Sequence, residues 1–116
     1  MAGKNIRRDK VADALRTVTP DEAFYFYREI GQPLGAISRS LSEFATTLES
    51  VDPSSVRFHV ERGDFENWFR MLGDKSLAGQ VAVLRSKNIS PDELKERVSS
   101  IVNMRVAQLQ KIAGLK

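Results

Sequence analysis

Ser90-Pro91-Asp92-Glu93 opens the segment that most constrains how this chain can fold. The Ser supplies a cap oxygen and the Pro has no N–H to leave unpaired in a first helical turn. The Glu three residues after the Ser completes a capping box. Leu94, Val98, Ile101, Val102, Val106, Leu109, Ile112 and Ala113 then recur at three- and four-residue steps until Gly114. The pattern predicts a helix over about 91–113, on the order of 34 Å long at 1.5 Å per residue. A chain of 116 residues has to organise much of its core around such a rod. A rod that long is also expected to overhang the domain and offer a face to a partner or a second copy.

The same punctuation recurs upstream. Val11, Ala14, Leu15 and Val18 share one face of a basic amphipathic N-terminal helix over about 5–18. Ser40-Leu41-Ser42-Glu43 is a second capping box, before Phe44, Ala45 and Leu48. Asp52-Pro53 starts a short helix that buries Val56 and Val60, and Gly63 stops it in a left-handed conformation. Asp64 is read as the cap of the next helix, which buries Phe65, Trp68, Phe69 and Leu72. Gly73-Asp74 repeats the logic, and Leu77, Val81 and Leu84 line a fifth segment up to about Arg85. Thr19-Pro20-Asp21-Glu22 also has the form of a helix start, with Thr as the cap. The run Phe24-Tyr25-Phe26-Tyr27 that follows has high β propensity, and Gly31, Pro33 and Gly35 come soon after. A helix at 20–30 and a hairpin across 23–37 both remain open. The expected fold is mainly α: one compact domain, 1–116, of about six helices with a short β-hairpin near residues 23–37.

Composition removes whole classes of chemistry. With no Cys and one His, disulfides, thiolate metal sites, Cys nucleophiles and multi-His metal sites are excluded. Carboxylate sites for hard cations stay open, but no cofactor, metal ligand or catalytic residue can be named. No apolar run approaches the ~20 residues of a membrane span, and the N-terminus lacks a signal-peptide core, so no membrane partner and a cytoplasmic location are expected. Charge is unevenly placed although the net value is +3. Residues 1–18 hold five basic and two acidic side chains, residues 19–52 two and six, and residues 76–116 seven and three. Basic ends around an acidic middle suit nucleic-acid contact through Lys4, Arg7, Arg8, Lys10 and the C-terminal third. They equally suit ends that pack on the acidic segment or are simply solvated, and the absence of dense Lys/Arg clusters favours the second.

The order of the pieces carries a resemblance. Phe24-x-Phe26, the Gly31/Gly35 pair, Ser40-Leu41-x-Glu43-Phe44, Phe58-His59, Asp64-Phe65-x-x-Trp68, Leu72-Gly73-Asp74 and Leu77-Ala78 resemble an uncharacterised prokaryotic family. It is classed as a domain of unknown function and is widespread in archaea. The similarity covers roughly residues 22–112 and leaves the N-terminal helix outside. Members stand alone or sit beside other modules, so the resemblance implies an accessory or recognition role and brings no established activity.

Phe58–Trp68 is where polar, titratable and aromatic groups crowd, including the only His and the only Trp. His59 and Arg62 are three apart and share a helical face, with Asp64 just past the break. His59, Arg62, Asp64 and Trp68 are therefore the candidate ligand or partner site, suited to a small anion. The structural reading comes first: Gly63 and Asp64 are helix caps and the aromatics are core. His59 and Arg62 then satisfy backbone carbonyls or pair with Glu43. An enzyme using a His–Asp pair comes last, since neither nucleophile nor metal set accompanies it. The function expected is a non-enzymatic interaction or regulatory module working through protein–protein contacts, a homodimer being one form such contacts can take. Nucleic-acid or ribonucleoprotein binding is the alternative, and a ligand site at His59, Arg62 and Asp64 the third.

Overall fold

The computed structural model describes residues 8–114. The elements run in the order α1 (Arg8–Leu15), a 3-10 turn (Pro20–Glu22), β1 (Phe24–Glu29), β2 (Gln32–Ser38), α2 (Leu41–Leu48) and α3 (Pro53–Arg62). They continue with α4 (Asp64–Met71), α5 (Lys75–Ala82), a second 3-10 turn (Val83–Ser86) and α6 (Pro91–Ile112). The fold is mainly helical, as the sequence pattern predicts, and contains one short antiparallel hairpin.

At the start of α6 the Ser90 hydroxyl accepts the Glu93 N–H at 3.1 Å, with Pro91 in the first turn. Leu94, Val98, Val102, Val106 and Leu109 form a buried stripe against which α1, α2, α3 and α5 all pack. Twenty-two residues make a helix about 33 Å long, and its buried residues run from Leu94 to Leu109. The rod is buried against the core along most of its length and is the spine of the domain. Arg105 lies in the same buried face, where its Nε and one Nη donate to the two carboxylate oxygens of Asp74 at 2.8 and 2.9 Å. Asp74 also accepts the Leu77 N–H at 3.1 Å. One carboxylate therefore caps α5 and latches it to α6.

The open question at residues 23–37 resolves as strands. Phe24 and Phe26 are buried while Tyr25 is exposed and Tyr27 half-buried, the alternation of a strand with one covered face. Tyr25 pairs with Ile37, Tyr27 with Pro33 and Glu29 with Gln32. Gly31 takes φ +79° in the turn, and Gly35 takes φ +82° in the irregular stretch of β2 that faces Phe26. The buried ring edges then meet α2 and α4: Phe44 lies 5.6 Å from Phe24 and 5.0 Å from Phe65, and stacks on Trp68 at 5.4 Å. These aromatic contacts fasten the hairpin to the helices.

α1 buries Val11 and Ala14 and packs on α2 and α6. Its apolar face is thus covered by its own domain. It ends at Leu15 because the chain turns to meet β2, where the Val18 N–H donates to the Arg39 carbonyl at 2.8 Å. Two expected caps are not formed. Thr19 makes no side-chain cap and the turn after it stays 3-10; the turn's carbonyls accept instead from Tyr25 Oη and Trp68 Nε1. Asp64 does not cap α4 either. With one residue between α3 and α4, Gly63 occupies the cap position itself, at φ 78° and ψ 16°. Asp64 is already in the first turn of α4, and its carboxylate turns back toward α3.

Candidate functional site

The Asp64 carboxylate is drawn back by two donors. His59 Nδ1 lies 2.8 Å and Arg62 Nε 2.9 Å from the same oxygen, Oδ2. The other ring nitrogen of His59, Nε2, accepts the backbone N–H of Tyr27 at 2.9 Å. A backbone N–H can only donate, so Nε2 carries the lone pair and the proton sits on Nδ1, donating to Asp64. The neutral state follows. Burial lowers the pKa of His59 most, outweighing the upward pull of Asp64, and Arg62 lowers it further. A proton on Nε2 would point one donor at another. Both nitrogens of His59 are engaged, so the ring positions groups and does not shuttle protons.

One turn earlier on α3, Ser55 Oγ donates to the Tyr27 carbonyl at 2.6 Å. Ser55 and His59 together take both backbone polar groups of Tyr27 and fix α3 along the outer side of β1. Sequence reasoning expected His59 to meet carbonyls or Glu43 and missed Ser55 and Tyr27 altogether. The available signal was the i,i+4 spacing of two buried polar residues on a short helix. Glu43 instead accepts the N–H of Arg39, the residue before the Ser40 cap, at 2.8 Å.

Beside this clamp, between the hairpin and α3–α4, lies a groove of about 580 Å³. His59, Arg62, Asp64 and Trp68 all line it, so the structure brings the four candidate residues to one cavity. Trp68 is 7% exposed; it shows an edge to the groove while its indole N–H donates to the Glu22 carbonyl at 2.8 Å. Tyr25, Ile30, Phe58 and Met71 supply apolar walls. Ile30, at the hairpin tip, is 78% exposed, and Tyr25 and Met71 are also among the exposed large apolar residues. Arg62 lies over Phe58 with Cζ 5.0 Å from the ring centroid. Its two Nη groups make no hydrogen bond among the described residues. The arrangement offers a cation above an apolar wall, and among the described residues no cluster of three His, Asp or Glu side chains gathers to hold a metal ion.

Most of the other candidate set falls outside the described residues. Lys4 and Arg7 lie outside the described residues, as does the Arg8 side chain; Lys10 is exposed on α1. In the C-terminal third, Arg85 pairs with Glu66, Arg97 with Glu93 and Arg105 with Asp74. Lys95 donates to the Glu49 and Val51 carbonyls just past the end of α2. These four cations serve the fold. Among the described residues no helix is long and apolar enough to cross a membrane. No family model, curated protein or solved structure matches this chain.

Proposed function

We propose that the protein is a non-enzymatic interaction module that receives a partner protein in the groove between the hairpin and α3–α4. The observation that carries this reading is the gathering of exposed apolar side chains, Tyr25, Ile30 and Met71, around one cavity. Scattered exposed apolar residues are ordinary, but several lining one groove mark a contact surface. The long helix and α1 have their apolar faces covered within the domain, which leaves the groove as the better-supported contact element. A ligand site at His59, Arg62 and Asp64 would fall in this groove too, yet His59 and Asp64 are tied to each other and to the backbone. The groove's free surface is its apolar rim with the unengaged edge of Arg62 beside it.

Ile30→Glu and Met71→Glu test the proposal. Both side chains are exposed, so each change should move stability by no more than about 0.5 kcal/mol. Each should abolish capture of a saturable partner from nuclease-treated lysate. A partner retained by both variants, or one that disappears on nuclease treatment, sinks the reading.

A further inference from the structure

We infer that the groove takes a partner segment carrying an apolar side chain and, two residues away, an acidic one; this rests on the groove being the interaction site. The charge on offer there is positive. Of the ionisable groups lining the cavity, His59 is neutral and Asp64 is 25% exposed, with two donors on one oxygen. The Arg62 side chain is 49% exposed, with both Nη groups without a hydrogen-bond partner among the described residues. A guanidinium held by its Nε alone keeps the forked edge that matches a carboxylate. Among the described residues, Arg62 presents two unengaged Nη groups at 49% exposure, whereas Asp64 presents one unengaged oxygen, Oδ1, at 25%, so an acidic partner meets the larger free polar surface.

The way the segment is read also follows. Strand addition to β1 needs free backbone groups on its outer side, and those of Tyr27 are taken by His59 and Ser55. Recognition therefore works through side chains. In an extended segment, residues two apart point the same way and lie about 6–7 Å from each other. The guanidinium carbon of Arg62 sits 5.0 Å from the Phe58 ring centroid. A residue packed on Phe58 and Met71 thus brings a carboxylate two positions away within reach of Arg62.

The test uses the single Trp of the chain, whose position on the groove makes its fluorescence report on filling. Heptapeptides with blocked ends and a central Leu are titrated in, identical except for Glu, Gln or Lys placed two positions before the Leu in one series and two after it in a second, the tighter series being the one compared. The Glu peptide should bind about tenfold more tightly than the Gln peptide, a charge-assisted pair in fold-change form. The gap should shrink as salt is raised, and the Lys peptide should bind most weakly. Arg62→Met, which keeps the stem over Phe58, should erase the Glu–Gln difference, and Arg62→Lys should restore part of it. Melting curves of both variants confirm that the protein titrated is folded. Absence of Glu-peptide binding up to millimolar concentration overturns the inference, as does Glu-peptide binding unchanged in Arg62→Met. Glu and Gln peptides that bind alike and are both lost in Ile30→Glu leave the interaction module standing and remove its acidic preference. Peptide binding untouched by Ile30→Glu removes both.

Discussion

Replacing His59 by Phe separates a structural clamp from a reactive site. The substitution keeps a ring among Phe24, Phe26 and Phe65, whose centroids lie 4.8, 6.0 and 5.4 Å from the imidazole. It removes the acceptor for the Tyr27 N–H and the donor to Asp64. An unmet buried N–H costs about 1–3 kcal/mol. Losing the bond to Asp64 adds about 1 kcal/mol, because Arg62 still holds the same oxygen. Burying a Phe ring instead of an imidazole offsets part of this, so the expected loss is about 2–4 kcal/mol. For a domain of this size that lowers the melting temperature by about 8–16 °C. A second readout is pH. The pKa of His59 lies below the ordinary 6.5 because burial penalises the charged ring. The unfolded chain therefore takes up a proton that the folded chain refuses. The stabilisation is full above pH 6.5 and is lost as pH falls toward the depressed folded value, with a slope of at most about 1.4 kcal/mol per pH unit. Urea unfolding from pH 7.5 to 5.0 measures both quantities. Because His59 is the only His, the variant should lack the slope in this window. A variant within 0.5 kcal/mol of the wild type, or one with the wild-type pH slope, would refute the clamp.

Two further expectations concern the frame around the groove. Gly63→Ala should destabilise by about 1–2 kcal/mol in chemical denaturation, the cost of the left-handed φ; a Cβ there would meet Arg85 Nη2 at 2.8 Å and Glu66 Oε1 at 3.1 Å, side-chain ends that can move aside. A loss below 1 kcal/mol would show that the junction relaxes freely. Arg105→Met leaves the Asp74 side chain, 1% exposed, without its cation and should cost about 3–5 kcal/mol. Adding Asp74→Ser, which keeps a cap oxygen for Leu77, should recover more than half of that in a double-mutant cycle; additive losses would contradict the latch.

What was legible in the sequence were features set by neighbours along the chain. Ser40, Asp52, Asp74 and Ser90 each accept a backbone N–H two or three residues on, and such bonds need no tertiary partner to be foreseen. The stripe of α6 could be read because burial on a helix leaves a period. The four candidate residues of Phe58–Trp68 do share one cavity, but their roles were out of reach. Asp64 has the residue type and position of a cap, and only the one-residue break at Gly63 moves it inside α4. The bonds of Ser55 and His59 to Tyr27 span 28 and 32 residues, and those of Arg105 to Asp74 span 31. Pairings at such separations depend on the packed fold and leave no periodic trace.

α6 follows in the chain every element that it packs against. Until about residue 109 has left the ribosome, the apolar faces of α1, α2, α3 and α5 have no common surface to close on. Closure of the whole core therefore waits for α6, although the hairpin can already meet α2 and α4 through its aromatic rings, and contacts between α6 and α1 join residues far apart along the chain, which slows the search. A nascent chain interrupted before Ser90 would expose an open core and be a ready substrate for chaperones and proteases. The same order makes α6 the natural place to divide the protein, with a peptide of residues 89–114 able to complete the fold when supplied in trans.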